Sequence, residues 1–141
     1  MHATSAEIRA AQRRQLVGTI AEVRARYAPS LVVLCGDMNE EAEGLLADFG
    51  EPPLAMTRLS EATPEGTCTY LDGTTHTLDH IFAVAADGHE LRRGVAHQPV
   101  RTTLSDHSLV WVSGIQTKPK ALAKAQGVLG YNCRKDGDGT N

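Results

Sequence analysis

Three short stretches of the sequence combine acidic side chains with amide or imidazole groups, which can bind a divalent cation and transfer a proton. They are Gly36-Asp37-Met38-Asn39, Leu78-Asp79-His80-Ile81-Phe82 and Ser105-Asp106-His107. Hydrolysis of a phosphoester needs an offset for the charge on the phosphoryl oxygens, an oriented water and a group that accepts its proton. Side chains of these types, if the fold brings them together, meet all three needs.

Taken singly, each stretch has an ordinary structural explanation. Asn39 could cap the helix that follows it. Asp79, inside an apolar run, could form an ion pair with an arginine, because a buried carboxylate is costly unless it is paired. Ser105 or Asp106 could bond the local backbone where a strand begins. It is the occurrence of all three stretches in one short chain that favours a shared site.

The composition is that of a soluble globular protein with a single domain of modest size. The chain has 141 residues, of which 41% are apolar and 22% are charged. Its net charge of −3 differs from the positive charge that is typical of nucleic-acid-binding domains. Contact with nucleic acid would therefore need a local basic patch or bound cations.

Neither a membrane span nor a secretory signal is predicted. No apolar run is long enough to cross a bilayer, and the N-terminus lacks the charged-then-apolar pattern of a signal peptide. The three cysteines, Cys35, Cys68 and Cys133, are widely spaced and odd in number. They fit a reducing compartment and form neither a disulfide framework nor a Cys-x-x-Cys metal site. By default we expect a cytoplasmic or nuclear protein.

The elements that must position the first stretch follow from capping and periodicity. A helix is predicted over residues 4–27, with Thr4 and Glu7 in the positions of a capping box. Its apolar stripe is predicted at Leu16, Ile20, Val23 and Tyr27. The continuous apolar run over residues 30–35 predicts a buried strand, and a second helix is predicted over residues 40–49. Asp37 and Asn39 would then lie at the end of a strand.

The second half of the chain is predicted to be mainly strands. The predicted strands are 67–71, 76–85, an edge strand at 89–95 and a final buried strand at 108–115. Residues 2–115 would form the domain, with helices packed on a mostly buried sheet, and residues 116–141 a flexible polar tail. Asp136-Gly137-Asp138 resembles part of an EF-hand loop, but Arg134 stands where the first carboxylate is needed, so a tail is the better interpretation.

In this order, the three stretches resemble the signature of the endonuclease/exonuclease/phosphatase superfamily, which includes deoxyribonuclease I-like nucleases. The resemblance covers residues 2–115 and implies an α/β fold of the α+β sandwich type. The chain would be the C-terminal half of a four-layer α-β-β-α sandwich, a mixed sheet with helices on one face. It also implies a phosphoester hydrolase of the phosphodiesterase or nuclease type, with Mg²⁺ or Mn²⁺ as cofactor and nucleic acid among the candidate substrates.

The resemblance further implies a role for each residue. Asp37 would orient the attacking water and help to deprotonate it, and Asn39 would donate a hydrogen bond to a phosphate oxygen. Asp79 would hold His107 in its working tautomer. His107 would contact the phosphate or act as the general base. The ordinary pKa of histidine lies near neutral pH, so its imidazole can readily accept and release a proton there. Asp106 would bind the metal directly or through water.

Two other histidines receive different predictions. His2 matches a strand-ending histidine of the superfamily, which would help to hold the scissile phosphate or serve the leaving group. His80 is adjacent to Asp79 on a predicted strand, so its side chain should point to the opposite face and be structural.

One metal ligand of the superfamily has no counterpart here. A glutamate in the first half of the fold is a principal Mg²⁺ ligand, and its position would precede His2. We therefore expect a hydrolase fragment whose exposed sheet face is covered by a missing N-terminal half or by self-association. Two alternatives stay open. One is a catalytically inert binding or dimerisation module derived from the same fold, and the other is an unrelated α/β domain.

Overall fold

Two helices and a set of short strands make up the structure, a computed structural model that describes residues 5–60, 65–101 and 103–120. Helix α1 spans Ala6–Tyr27 and helix α2 spans Ala42–Phe49. The strands of the described residues are, in chain order, β1 Leu31–Asp37, β2 Thr57–Arg58, β3 Cys68–Thr69, β4 Thr75–His76, β5 Asp79–Ala85, β6 His89–Arg92, β7 Val95–Ala96, β8 Val112–Ser113 and β9 Gln116–Pro119. The predicted mixed α/β class is confirmed.

The largest sheet has three strands in the order β1-β5-β2. β1 and β5 pair along their whole length, from Leu31 opposite Ala85 to Asp37 opposite Asp79. The other strands form three two-stranded sheets, β3-β4, β6-β9 and β7-β8. All of these pairs are antiparallel. The expected mixture of parallel and antiparallel strands is therefore wrong for the described residues.

The hydrophobic core lies between the helices and one face of the main sheet. Phe82 of β5 and Phe49 of α2 are fully buried and meet edge to face, with their ring centroids 5.4 Å apart. Leu34 of β1 is opposite Phe82 and packs against the same cluster. Because side chains alternate along a strand, Val33 and Cys35 point to the other face, where both are exposed.

The caps of α1 differ in part from the prediction. Ser5 is the N-cap, and its hydroxyl accepts a hydrogen bond from the Ile8 N–H. The capping box with Thr4 as the cap is therefore wrong, and Thr4 itself lies outside the described residues. Ala28 ends the helix in a left-handed conformation, directly before Pro29. Neither helix of the described residues has an apolar stretch long enough to span a membrane.

Helix α1 is joined to the rest of the domain by ion pairs as well as by apolar contacts. Ile20 is buried, but Val23, which the spacing placed on the same stripe, is exposed. Arg13 pairs with Glu40 and Asp48. These pairs help to fix α1 against α2 and the loop before it, the segment that directly follows the Asp37 stretch.

The final buried strand expected at 108–115 is wrong in extent and in burial. Only Val112–Ser113 is strand, paired with β7, and Leu109 makes an isolated bridge with Val100. Leu109 and Trp111 are 59% and 41% exposed. The physical reason is that an apolar run forms a buried strand only where other elements cover it, and the pairing of this segment is too short for that.

The boundaries of two further strands differ from the prediction because of contacts between backbone segments. The edge strand expected at 89–95 is divided into β6 and β7 before Gly94, where a Cβ atom would lie 1.9 Å from the Ser113 carbonyl oxygen. Residues 116–119, assigned to the flexible tail, form β9 opposite β6. These four residues are therefore part of a sheet, because a polar segment can still pair as a surface strand. Residues 121–141 lie outside the described residues.

Candidate functional site

The register of β1 and β5 places two carboxylates opposite each other. Asp37 is the last residue of β1, Asp79 is the first of β5, and the two are cross-strand partners. Like charges directly opposite each other in a sheet are destabilising. Both side chains lie on the face that the helices do not cover, the face of Val33 and Cys35. The fold therefore concentrates negative charge at one end of an accessible sheet face.

Asp37 is held by the residue two positions after it. The backbone N–H of Asn39 donates to Asp37 Oδ1 at 2.8 Å, and the Asn39 side-chain amide donates to Oδ2 at 3.0 Å. Asn39 has a left-handed φ of 49°, which asparagine tolerates better than most residues. The N-cap of α2 is Glu41. Asn39 therefore orients Asp37 and does not cap the helix.

Gly36 lies in β1, directly before Asp37. Its φ is 146°, a value that residues with a Cβ atom rarely adopt. β1 ends at Asp37, and Met38 after it is buried in the core, with its N–H donating to the Leu78 carbonyl at 2.8 Å. The Gly-Asp-Met-Asn stretch thus presents Asp37 at the sheet end and anchors its neighbour in the core.

Asp79 and His107 form a direct contact. His107 Nδ1 donates to Asp79 Oδ2 at 2.8 Å, and both side chains are largely but not fully buried. Two backbone interactions bring the distant Ser-Asp-His stretch to this position. Cys68 of β3 forms a bridge with His107, and the Ser108 N–H donates to the Thr67 carbonyl at 2.7 Å.

The electrostatics of this pair favour a charged imidazole. Burial acts to lower the pKa of His107, but the hydrogen bond from its ring to Asp79 raises that pKa. The negative charges of Asp79, Asp37 and Asp106 raise it further, so the net shift is upward. The imidazole can therefore accept a proton, and the resulting cation is stabilised by the surrounding carboxylates.

The structure brings together three of the predicted site residues in one group. Ligand atoms of Asp37, Asp79 and His107 all lie within 4.8 Å of one another. Two carboxylates provide the hard oxygen donors that Mg²⁺ requires, and Mg²⁺ usually keeps several waters. This donor set therefore fits a magnesium-type ion.

The other predicted site residues are not members of this group of three. Asp106, expected as a metal ligand, is exposed and groups instead with Cys68 and His107. Asn39 contacts Asp37, as described above. His2 lies outside the described residues, so its predicted role stays a prediction. The motif residues Asp37, Asp79, Asp106 and His107 thus fall into two ligand groups that share His107, and Cys68, which lies in none of the motifs, completes the second group.

Two clefts open beside the cluster. One, of about 430 Å³, is bordered by Asn39, Tyr70 and His76, and the other, of about 410 Å³, by Tyr70 and Asp106. The Tyr70 and His76 rings lie with their centroids 4.8 Å apart. Tyr70 borders both clefts, whereas His76 borders only the first.

Thr67 is a functional residue that the sequence analysis missed. Its buried hydroxyl oxygen accepts hydrogen bonds from the backbone N–H groups of Leu78 and Asp79, each at 3.0 Å. Thr67 thereby fixes the point at which β5 begins and where Asp79 is presented. Nothing in the local sequence indicates this, because the hydroxyl acts on residues more than ten positions away.

Replacing Thr67 by valine is expected to lower the free energy of unfolding by about 1–3 kcal/mol, because the buried Leu78 N–H loses its acceptor. Urea unfolding followed by circular dichroism measures the change. Thr67→Ser keeps the hydroxyl and is the matched control. Equal stability of the valine and serine variants would show that these hydrogen bonds do not support the strand.

His80 confirms the predicted alternation along β5. It points away from Asp79 and is buried, with Nε2 donating to the Glu40 carbonyl at 2.9 Å. Its Nδ1 has no hydrogen-bond partner among the residues that the structure describes. Burial lowers the pKa of His80, and this outweighs the opposing effect of the bond to Glu40. His80 is therefore a neutral residue of the helix-facing side and stands apart from the cluster.

Acidification is expected to destabilise the protein through His80. Its folded-state pKa lies below the unfolded value of about 6.5, so the unfolded chain binds the proton first and stability falls as pH decreases below that value. His80→Gln should reduce this pH dependence of the free energy of unfolding, measured by urea titration at several pH values. His89→Gln removes a surface imidazole and should keep the contribution of His80. An unchanged slope in His80→Gln would contradict the assignment.

Comparisons of the chain with models of known protein families, with curated proteins and with solved structures found no match. The resemblance of the three motifs to the endonuclease/exonuclease/phosphatase superfamily therefore stays a prediction. The chemistry available to the site follows from its own geometry. That geometry consists of paired carboxylates, an imidazole oriented by one of them, and an amide at the mouth of a cleft.

Proposed function

We propose that this chain carries the water-activating part of a metal-dependent phosphoester hydrolase site of the phosphodiesterase or nuclease type. The observation that supports this most directly is the 2.8 Å hydrogen bond between His107 Nδ1 and Asp79 Oδ2, beside Asp37 on the paired strand. An imidazole oriented by a carboxylate is the usual arrangement of a general base.

The proton transfer follows from this arrangement. Because Nδ1–H is donated to Asp79, the lone pair of the neutral imidazole of His107 is on Nε2. That nitrogen accepts a proton from a water molecule as the water attacks phosphorus, and Asp79 stabilises the imidazolium that forms. The bond between phosphorus and the leaving oxygen breaks, the leaving oxygen takes up a proton from solvent, and the imidazolium later returns its proton to solvent. Asp37 accepts a hydrogen bond from the same water and orients it. The Asn39 amide, at the border of the cleft, donates to a phosphate oxygen.

The negative charge of the site favours the binding of a cation. Asp37, Asp79 and Asp106 surround His107, and a phosphoester brings further negative charge. Mg²⁺ or Mn²⁺, when bound, offsets the charge on the phosphoryl oxygens. Carboxylate oxygens of Asp37 and Asp79 would hold the ion, with Asp106 as a ligand through water.

The finer fold assignment is part of the same proposal. Both helices pack on one face of the β1-β5-β2 sheet, and the other face carries the exposed Val33 and the two carboxylates. Half of a four-layer α-β-β-α sandwich would have this form. The uncovered face would then pack against a second sheet, from an N-terminal half or from another copy of the chain.

The test is Mg²⁺-dependent cleavage of plasmid DNA and of a generic phosphodiester by the 141-residue chain. Activity that requires Mg²⁺ and is abolished by chelation and by Asp37→Ala is the expected result, either from the chain alone or after an N-terminal half is added. His97→Ala is the control, because that histidine stacks on Trp111 outside the cluster. Activity that is unchanged in both Asp37→Ala and His107→Ala would refute the site assignment.

A second candidate function is a binding or dimerisation module without catalysis. The observation that favours it is the set of exposed large apolar side chains, which includes Val33 on β1 and Leu109 and Trp111 near β8. This function predicts a stable dimer in analytical ultracentrifugation and no metal-dependent cleavage. Trp111→Glu should then weaken the dimer about tenfold or more, whereas a monomeric wild-type chain would exclude self-association.

A further inference from the structure

We propose that Cys68, Asp106 and His107 form a binding site for a thiophilic divalent cation of the Zn²⁺ class. This ligand set is distinct from the two carboxylates proposed to hold Mg²⁺, beside which His107 acts as the proton acceptor. The binding does not depend on the proposed hydrolase function. The inhibition that would follow from it does.

The ligand atoms are already close enough for one ion. A sulfur, a carboxylate oxygen and a ring nitrogen of these three residues lie within 4.8 Å of one another. Ligand atoms of one tetrahedral Zn²⁺ each lie about 2.0–2.3 Å from the metal and therefore about 3.3–3.8 Å from one another. Binding therefore needs side-chain movements of up to about 1.5 Å to bring the three atoms to one ion.

Backbone pairing holds the two segments that carry the ligands. Cys68 forms a bridge with His107, and the Thr69 N–H donates to the Asp106 carbonyl at 3.0 Å. The Ser108 N–H donates to Thr67 at 2.7 Å on the other side. The three ligands are thus presented by paired backbone and not by one unsupported loop. Such preorganisation reduces the entropy that binding must remove.

The types of ligand select the metal. A thiolate is a soft donor that favours Zn²⁺ and similar ions, whereas Mg²⁺ prefers oxygen ligands. One sulfur, one nitrogen and one oxygen leave a fourth tetrahedral position open to water. Cys68 is buried, but Asp106 is exposed and His107 is partly exposed, so the cation can approach from the side of these two residues.

Asp79 supports the site from outside the ligand set. It accepts the Nδ1–H of His107 at 2.8 Å, which directs the other ring nitrogen to the metal. Carboxylate–histidine–metal arrangements of this kind fix the tautomer and raise the basicity of the ligand. On binding, the Cys68 thiol releases its proton to solvent and the sulfur forms the bond to the metal.

Occupancy of this site would block the proposed water activation. The Nε2 lone pair of His107 cannot both bind a cation and accept a proton from water. A bound thiophilic cation would therefore inhibit hydrolysis, because it competes with the proton of the attacking water for the Nε2 lone pair of His107. His107 would then activate water beside the hard-metal site when its Nε2 lone pair is free, and would be a ligand of the soft metal when that cation is bound.

Co²⁺ titration of the full chain, followed by absorption, tests the binding without any need for activity. Thiolate ligation gives a sulfur-to-cobalt charge-transfer band, which we expect in wild type and in Cys35→Ser and Cys133→Ser. Cys68→Ser should lose the band while its circular dichroism stays native. A band that persists in Cys68→Ser, or no band in wild type at saturating Co²⁺, would overturn the proposal.

Two variants outside the core keep the test valid if Cys68→Ser fails to fold. Asp106→Asn removes an exposed ligand, and Asp79→Asn removes the support of His107. Each is expected to weaken Co²⁺ binding, the latter by about 10–100-fold. Unchanged affinity in both variants would exclude this ligand set. A Cys68-dependent band without hydrolysis would leave this inference standing and remove the proposed function, and hydrolysis without the band would do the reverse.

Discussion

Replacing His107 by alanine is expected to lower the rate of Mg²⁺-dependent phosphodiester hydrolysis by about 10²–10⁴-fold. The variant removes the imidazole that accepts the proton from the attacking water, and it leaves Asp79 without its partner. Initial rates on a chromogenic phosphodiester measure the effect. His97→Ala, which removes an imidazole outside the cluster, should keep the wild-type rate. A loss below tenfold in His107→Ala would contradict the role of general base.

The pH dependence of the rate should identify the same pair. His107 must be neutral to accept a proton, and its pKa is raised above the ordinary value of about 6.5. The rate should therefore increase with pH as His107 loses its proton, and this rise should lie at lower pH than in the metal-free protein, because a bound cation offsets the carboxylates that raise the pKa. Asp79→Asn removes a nearby negative charge, so the rise should move to lower pH.

Asp79 and His107 should also behave as one functional unit. Residues that act through each other show effects that are far from additive. The double variant Asp79→Asn/His107→Ala should therefore be hardly slower than His107→Ala alone. Independent, multiplicative losses, or a pH profile of Asp79→Asn identical to that of wild type, would show that the contact is structural.

Replacing Phe82 by alanine is expected to lower the free energy of unfolding by about 3–5 kcal/mol. The ring is fully buried between the main sheet and α2, against Phe49 and opposite Leu34. Its removal leaves a cavity in the largest apolar cluster of the described residues. Because a small domain has a total stability of about 5–15 kcal/mol, this is a large share of it.

Urea unfolding followed by circular dichroism measures the effect of Phe82→Ala. Leu71→Ala removes a fully exposed apolar side chain and is the matched control, with an expected change within about 0.5 kcal/mol. The double variant with Phe49→Ala should be less destabilised than the sum of the single variants, because the two rings contact each other. A loss below about 1 kcal/mol in Phe82→Ala would mean that the core does not lie at this position.

The local elements around the site could be predicted because neighbours along the chain determine them. The continuous apolar run before Gly36 is confirmed as a strand, β1, but its expected burial is wrong, since Val33 and Cys35 are exposed. The end of α2 at Phe49 follows from Gly50 and the prolines after it. The alternation that separates Asp79 from His80 is confirmed as well, since successive side chains of a strand point to opposite faces.

The remaining elements depend on pairing between distant segments. The short strands β2, β3 and β7 have only two residues each, too few to show a periodicity. The apolar run at 108–115 has the composition of a buried strand, yet most of it pairs with nothing long enough to cover it. The polar residues 116–119 form a strand because β6 offers a free edge.

For the site, the sequence by itself determined the chemistry that is available, and the tertiary structure decided how it is arranged. The motifs identified Asp37, Asp79, Asp106 and His107 as carboxylate and imidazole groups suited to metal and proton chemistry. Only the β1-β5 register placed Asp37 opposite Asp79, and only the pairing near β3 brought His107 to Asp79 and Cys68. The reason is that side chains distant in sequence meet through strand register, and a shift of one residue would turn each side chain to the other face.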